Sequence, residues 1–334
     1  TNDPYGGGST LSSLNLIMGI NTKNESGYAN LLVTLKLPFK PKLSLGESLE
    51  DEGIRIPPTP IHADDNTNEA ILEAISDHPL APDNFKSAVT NAIFDLQVLH
   101  KNFFQMKQIF DFEWNQPTIK SYINNTKSAL STAFAQLSQG ETVKELKIDA
   151  QTSLKLQLNI HDDKFFFDFS GSRPSPLLHL THAAALGICV GATLSILDKN
   201  VPINQGVFEH FEVITPEGSL LQSKYPEPVF LGMTDGATIL ADHIIYTLSS
   251  IDKSIHLPQR GSSQCSFELD FGDQHFFETL EPGIAANKHS HGLHGKSLWV
   301  RSHLHPSVEG VEKRFPLQVD SFSFRKTSGG AGLR

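Results

Sequence analysis

Five of the 15 histidines lie between residues 289 and 305, near the end of the chain. His289, His291 and His294 follow the spacing His-x-His-x-x-His, and imidazole nitrogens placed in this way could bind zinc or a similar divalent ion. An Asp or Glu would complete the coordination shell. The alternative is a solvent-exposed polar loop, because Gly292 and Gly295 interrupt the segment. The three histidines are therefore candidate ligands of a divalent metal cofactor, and the loop interpretation stays open.

Two carboxylates, Asp168 and Glu278, are candidates for acid–base catalysis, and a third acidic residue, Asp3, lies in a motif near the N-terminus. Burial of Asp168, which follows three phenylalanines on a predicted strand, would raise its pKa and suit it to general-acid chemistry. Glu278 would need a partner if it pointed into the interior. In the alternative interpretation, Asp3 and Asp168 are turn formers that accept hydrogen bonds from backbone amides, and Glu278 lies on a solvated strand face.

The composition excludes several classes of partner. The formal net charge is −10, and no basic stretch is longer than two residues, so we expect neither nucleic-acid binding nor attraction to an anionic membrane. The longest apolar run, 183–197, is too short to span a bilayer. Cys189 and Cys265 are the two cysteines, too few for a disulfide framework, which indicates a reducing compartment and a cytoplasmic location.

The two ends of the chain suggest a longer parent protein. The first residue is Thr1 rather than a methionine, and the last residues follow the glycine-rich string Ser328-Gly329-Gly330-Ala331-Gly332. We expect the chain to be a fragment, truncated at both ends.

The order of periodic segments predicts an α+β fold, with a β-rich body, an embedded antiparallel helical pair at about 68–140 and two further buried helices. The pair consists of a helix over 85–110, capped by Asp83, and a helix from Pro117 to Gly140, with Gly140 as its C-cap. A short helix over 68–76 precedes them. The two buried helices are predicted at 183–197 and 235–248, the second with Asp235 as its N-cap.

Strands are predicted where apolar and polar residues alternate. They are expected at 30–37, 152–158, 165–169, 212–214, 264–271, 275–280, 296–301 and 319–324. The segments 264–271 and 275–280 pair naturally across Gly272-Asp273, and Asp162-Asp163 is a hairpin-turn candidate. Residues 5–13 are predicted to be a loop.

Seven short strings, mostly of glycine, proline and small polar residues, lie in order along the whole chain. They are Asn2-Asp3-Pro4-Tyr5 with Gly7, 53–58, 168–171, 203–206, 213–219, 277–279 and 328–332. Together they resemble the hydantoinase B/oxoprolinase family, which includes N-methylhydantoinase and 5-oxoprolinase subunits. Such residues set backbone shape, since they allow a positive φ, a fixed φ or a close backbone approach. The match therefore lies mainly in the scaffold.

The resemblance implies one half of a two-component hydrolase. An A-type partner would use ATP to phosphorylate the oxygen of a small cyclic amide, and the B-type subunit would complete ring opening by hydrolysis. This chain contains no Gly-x-x-x-x-Gly-Lys-Ser/Thr phosphate loop, so ATP is expected on the partner. The resemblance also implies a single hydantoinase B-like domain over 1–334, with a helical sub-region at 68–140 and a β-rich region at 141–334.

The chain departs from the family at the residues that look like metal ligands. Family members continue the first string as Gly-Gly-Thr-His-x-x-Asp and carry a His-His-x-Asp-x-Gly-Gly string after the next strand, groups suited to a hard metal. Here Thr10 stands for the histidine and Ser13 for the aspartate, residues 35–40 replace the second string, and Trp299 stands where another histidine is expected. Their joint loss suggests that the inherited metal site is not used. Asp3 is the acidic residue left in the first string, and the resemblance implies that it could still face this site as a catalytic residue.

Two functions of different classes follow. The chain is either an active subunit that opens a hydantoin or 5-oxoproline type ring, with other ligands replacing the lost ones, or a non-catalytic paralogue that keeps the fold for partner binding.

Overall fold

The computed structural model describes residues 1–24, 27–38, 48–63, 66–79, 81–82, 84–109, 116–197, 201–255, 265–272, 274–280, 283–286, 291–293 and 306–324. The helices are α1 (Glu69–Ser76), α2 (Phe85–Ile109), α3 (Gln116–Phe134), α4 (His182–Leu194), α5 (Gln205–Phe208), α6 (Ala237–Ile251) and α7 (Val308–Arg314). The strands are β1 (Ser13–Asn24), β2 (Gly27–Pro38), β3 (His62–Ala63), β4 (Asn66–Thr67), β5 (Gly140–Lys147), β6 (Ser153–His161), β7 (Lys164–Asp168), β8 (Phe211–Ile214), β9 (Cys265–Asp270) and β10 (His275–Leu280). The predicted α+β class is confirmed.

The chain divides into two compact units. The first unit comprises residues 1–42, 46–132 and 201–210, and the second comprises 43–45, 133–200 and 211–334. The division into a helical sub-region at 68–140 and a β-rich region at 141–334 stays a prediction. A single domain over 1–334 stays a prediction.

The first unit is built around an antiparallel hairpin of β1 and β2, with Ser13 opposite Pro38 and Asn24 opposite Gly27. Alternate residues of β1, such as Leu14 and Leu16, face a hydrophobic cluster that α1 and α2 complete. The buried stripe of α2 runs from Phe85 to Leu96 and reaches the hairpin. The packing of α2 against α3 as an antiparallel pair stays a prediction.

Asn2 joins two parts of the first unit that lie far apart in sequence. Its side-chain amide donates to the carbonyls of Leu11 (3.0 Å) and Ile54 (2.9 Å), and its Oδ1 accepts from the N–H of Ile56 (2.7 Å). The backbone N–H of Asn2 also donates to the Ile56 carbonyl (3.1 Å). Asn2 is fully buried, so these bonds satisfy polar groups that water cannot reach. We call this set of four bonds the Asn2 clamp.

In the string 203–206, Asn204 and Gly206 lie where α5 closely approaches α3. The Asn204 side chain caps α5 by accepting from the Gly206 N–H (2.9 Å) and donates to Thr126 of α3 (2.7 Å). A Cβ at Gly206 would lie 2.4 Å from the Ile123 carbonyl oxygen, which no side chain could tolerate. Glycine is required here for α5 to touch α3.

The second unit contains a four-stranded sheet in the order β5-β6-β7-β8, in which β7 and β8 are parallel and the other neighbours are antiparallel. Leu154, Leu156 and Leu158 of β6 are fully buried, as their alternation predicts. A phenylalanine cluster adds to this core, with the rings of Phe134 and Phe165 edge-to-face at 4.7 Å. Helix α6 packs on β5, β6 and α4.

Several local predictions are confirmed. The turn at Asp162-Asp163, the strands β6, β7 and β8, and the pairing of β9 with β10 occur as expected. Helices α1, α2, α4 and α6 lie within a few residues of their predicted bounds, and Asn68 caps α1 through its side chain. Asp83 and residues 296–301 lie outside the described residues.

Three predictions were wrong, and one strand was not predicted. Gly140 does not cap α3, which ends at Phe134; it is the first residue of β5, at φ +147°. Asp235 is not an N-cap, because it lies inside a π-helical turn, Gly232–Gly236, that continues into α6. Residues 319–324 form no strand, and the structured element near them is α7. Residues 13–24 form β1, although only its partner strand was predicted.

None of the described helices is long and apolar enough to cross a membrane.

His243 is a titratable group inside the second unit. It lies on α6 at 4% exposure, its ring hydrogen-bonds to the Lys144 backbone, and its Nε2 has no partner among the described residues. Burial lowers the pKa of His243 to about 4, from an ordinary value of 6.5. The folded protein therefore stays neutral at His243 over a pH range in which the unfolded chain binds a proton.

We expect acid to destabilise the protein through His243. Its contribution is complete above the unfolded pKa of 6.5 and is lost as the pH falls toward the folded pKa of about 4. The free energy of unfolding should fall by about 2 kcal/mol from this residue between pH 7 and pH 5. Urea unfolding at the two pH values should show that His243→Gln removes this difference, whereas His161→Gln, at an exposed histidine, retains it. An unchanged pH dependence in His243→Gln would contradict the assignment.

We expect the Asn2 clamp to govern the stability of the first unit. Replacement of Asn2 by Ala would leave the Leu11 and Ile54 carbonyls and the Ile56 N–H without their partner, at a cost of about 3 kcal/mol. Hydrogen exchange at the Ile56 amide measures this directly, with Thr59→Ala, an exposed hydroxyl bonded to the Pro57 carbonyl, as the control. Equal protection in Asn2→Ala and Thr59→Ala would refute the role of the clamp.

Candidate functional site

The first candidate site lies beside the Asn2 clamp, at Asp3. Asp3 Oδ1 accepts a hydrogen bond from the Tyr5 N–H (3.0 Å), and Oδ2 lies 3.7 Å from Arg55 Nη1. The Asp3 side chain is 8% exposed and that of Arg55 is 34% exposed. The turn-forming interpretation of Asp3 is thus observed, together with an ion pair that the sequence analysis missed. Arg55 belongs to the string 53–58, and only its place in that string hinted at a role.

The residues at the expected metal-ligand positions are Thr10, which bonds with Ser12, and Ser13, which begins a strand. Thr10 is buried, and its hydroxyl lies 2.9 Å from the Ser12 hydroxyl. Ser13 is the first residue of β1. Neutral hydroxyls are poor ligands for a divalent ion. The Asp3 carboxylate, the acidic group of this site, already faces Arg55. Asp3, Thr10 and Ser13 therefore do not fit the metal that the family pattern implies.

Asp168 ends β7 in the second unit. Its Oδ1 accepts from the Ser170 N–H at 2.7 Å, the contact of an aspartate that forms a turn. The Ser172 hydroxyl of the same turn accepts from the Lys155 N–H (3.0 Å) on β6. The turn holds the end of β7 against β6, which is a structural role.

Glu278 on β10 is buried, at 7% exposure. Its Oε1 accepts from the Thr279 N–H at 2.9 Å, and Phe267 lies opposite it on β9. Of the two orientations that the sequence left open, the structure has the inward one. Asp3, Asp168 and Glu278 each take part in their own local contacts.

The histidine-rich segment is described only in part. His291 is exposed, next to an isolated bridge between Ile284 and Leu293, whereas His289 and His294 lie outside the described residues. Among the residues that the structure describes, no group of three His, Cys, Asp or Glu side chains is placed to hold a metal ion. The predicted histidine site stays a prediction.

A polar network at the start of α4 was not predicted as a unit. His182 Nδ1 lies 2.8 Å from the Thr215 hydroxyl, which donates to Gln222 Oε1 (2.7 Å). His179 Nδ1 lies 3.7 Å from a carboxylate oxygen of Glu227. The cap of α4 is Thr181, whose hydroxyl accepts from the Ala184 N–H. The contact between His182 and Thr215 holds the string 213–219 against α4. The polar side chains of the network therefore have a structural role.

Comparison with curated proteins gives relatives over nearly the whole chain. An uncharacterized protein of Methanocaldococcus jannaschii is 23% identical over 99% of this chain and 60% of its own length. The 5-oxoprolinase of Dictyostelium discoideum is 23% identical over 99% of this chain and 27% of its own length. The chain therefore spans from about a quarter to three fifths of the length of these relatives.

Two solved structures share the fold. The ATP-dependent caprolactamase from Pseudomonas jessenii superposes with a TM-score of 0.75 at 15% identity, covering 96% of this chain and 60% of that one. A nucleotide-free acetone carboxylase superposes with a TM-score of 0.73 at 12% identity, covering 92% of this chain and 46% of that one. At these identities the likeness concerns the fold alone.

The family model described as hydantoinase B/oxoprolinase matches residues 44–334. The match includes six of the seven strings singled out in the sequence, whereas Asn2 to Tyr5 precedes it. The six are 53–58, 168–171, 203–206, 213–219, 277–279 and 328–332. On this match, the chain belongs to the hydantoinase B/oxoprolinase family.

Proposed function

We propose that this chain is a non-catalytic B-type subunit, which binds an A-type, ATP-using partner in the cytoplasm and supplies scaffold rather than a reaction centre. The partner and its substrate class, a small cyclic amide of the hydantoin or 5-oxoproline type, are carried over from the family. The names of a relative and a structural neighbour, 5-oxoprolinase and ATP-dependent caprolactamase, support the cyclic-amide substrate class and the use of ATP.

One observation carries the non-catalytic part of the proposal. The polar groups beside the Asn2 clamp are engaged with one another: Asp3 with Arg55 and the Tyr5 amide, and Thr10 with Ser12. A hydrolytic site needs a base or a metal that can reach water and substrate. Asp3 could do so only by giving up its contact with Arg55.

A second candidate function is an active hydrolase, which the retention of Asp3 favours. A nearly buried carboxylate beside an arginine could accept a proton if the ion pair opened on substrate binding. In this case Asp168, Glu278 or the histidines at 289, 291 and 294 would complete the site.

Reconstitution separates the two candidates. We expect the purified chain to form a complex with an A-type protein from the same source. We further expect no ring opening of hydantoin or 5-oxoproline with ATP, and no stoichiometric zinc, manganese or iron on elemental analysis. A matched active B-type protein with the same partner is the positive control. ATP-dependent turnover above that of the partner alone would overturn the proposal, as would one bound metal ion per chain.

Substitution of the carboxylates tests the same point independently. If any background turnover is found, Asp3→Asn, Asp168→Asn and Glu278→Gln should each change it by less than roughly tenfold, because loss of a true general acid or base costs about 10²–10⁴-fold. Asp95→Asn, an exposed position on α2, is the matched control. A loss of a hundredfold or more in Asp3→Asn alone, with the fold intact, would establish Asp3 as a catalytic residue.

A further inference from the structure

The first unit contains a cavity of about 570 Å³ beside its hydrophobic cluster. The cavity is open to solvent on one side, where exposed residues such as Ile17 and Gln97 line it. Its walls come from β1, the segment 56–62, α1 and α2, and include Leu16, Ile56, Leu72, Val89, Ile93 and Leu96. A cavity of this volume falls in the range of about 300–1,000 Å³ that is typical of small-molecule sites.

The chemistry of the walls restricts the ligand. None of the described residues that line the cavity is Asp, Glu, Lys or Arg. The Thr1 amino group also lines the cavity; it donates to the Asn15 carbonyl (3.0 Å), and burial lowers its pKa. A cationic ligand would lose its hydration without gaining an opposite charge, and an anionic ligand would meet only this one amine. An apolar ligand body would displace solvent from these mostly apolar walls, which is favourable. The fitting ligand is therefore uncharged and mainly apolar.

Two polar side chains on the lining offer a hydrogen-bonding position. His62 Nδ1 lies 2.9 Å from the Thr67 hydroxyl, and His62 Nε2 lies 3.1 Å from Gln97 Nε2. Since the Gln97 amide nitrogen can only donate, His62 Nε2 is the acceptor in this pair, and the ring proton belongs on Nδ1. Gln97 keeps its Oε1 and a second N–H for a ligand. An amide carbonyl and an N–H on its same side would match this acceptor and donor with two antiparallel hydrogen bonds.

We propose that this cavity binds a small uncharged amphiphile, with an apolar body among the residues of β1, α1 and α2 and a carboxamide head paired with Gln97. His62 and Thr67 act as positioning residues that fix the orientation of the Gln97 amide. The proposal concerns a site apart from Asp3 and holds whether or not the chain is catalytic.

The test uses 4-phenylbutyramide as the probe and the full chain as the receptor, with binding measured by titration calorimetry. Saturable binding at one site per chain is expected. N,N-dimethyl-4-phenylbutyramide, which has no N–H, and 4-phenylbutyrate, which is charged, should each bind roughly tenfold more weakly or worse, since each loses a hydrogen bond or pays for a buried charge.

Variants locate the site. Gln97→Leu removes both hydrogen bonds to the amide but only one to the dimethyl derivative, so it should weaken binding of the amide roughly tenfold and that of the dimethyl derivative less. Gln105→Leu, at an exposed glutamine on the same helix, should leave both unchanged. Leu96→Trp should fill the cavity and prevent binding of every probe. Ile93→Phe should fill it partly and weaken binding of every probe, and circular dichroism checks the fold of each variant.

Absence of saturable binding to the wild-type chain, or binding that Gln97→Leu and both filling variants leave unchanged, would overturn the proposal. Equal affinity for the amide and its dimethyl derivative would overturn the assignment of the head group to Gln97.

Discussion

The first unit depends on one buried amide. Asn2 holds three backbone groups through its side chain, and two of them belong to residues more than fifty positions away. A single asparagine can do this because it carries two donors and an acceptor on one rigid plane. Without those bonds the segment 54–56 would have unsatisfied buried polar groups and no fixed place beside the N-terminal turn.

The clamp explains why a chain can keep the family scaffold while its polar side chains change. The clamp brings Arg55 next to Asp3 and fixes the loop on which Thr10 meets Ser12. Glycines next to the first string serve this geometry: a Cβ at Gly6 would lie 2.9 Å from the Pro58 ring, and one at Gly8 would lie 2.4 Å from the Asn2 carbonyl oxygen. Backbone shape is thus constrained by packing, whereas ligand side chains are constrained only by the metal they hold.

Periodicity in the sequence was enough to predict the elements that bury one face. Strands β6 and β7 and helices α2, α4 and α6 have such faces, and they were predicted within a few residues. β1 was missed because Asn15, Gly19 and Asn21 are typical of loops, and its strand is stabilised by twelve paired positions with β2 rather than by its own propensity. α7 was missed because it has only seven residues, too few to show a clear apolar period, and its N-terminus is capped by Ser307.

The Asp3–Arg55 pair could not be predicted from spacing, since it depends on the folded path of the chain between the two residues. Both residues do lie in strings that resemble the family, Asp3 in the first and Arg55 in the string 53–58.

Diffraction from crystals grown with Mn²⁺, with anomalous data collected at the manganese edge, tests the structural role of the Asp3 site most directly. The account predicts that Asp3 remains paired with Arg55 and that no anomalous peak lies within coordination distance of Asp3 or Thr10. A peak coordinated by Asp3, with Arg55 displaced and the Thr10–Ser12 hydrogen bond broken, would contradict it.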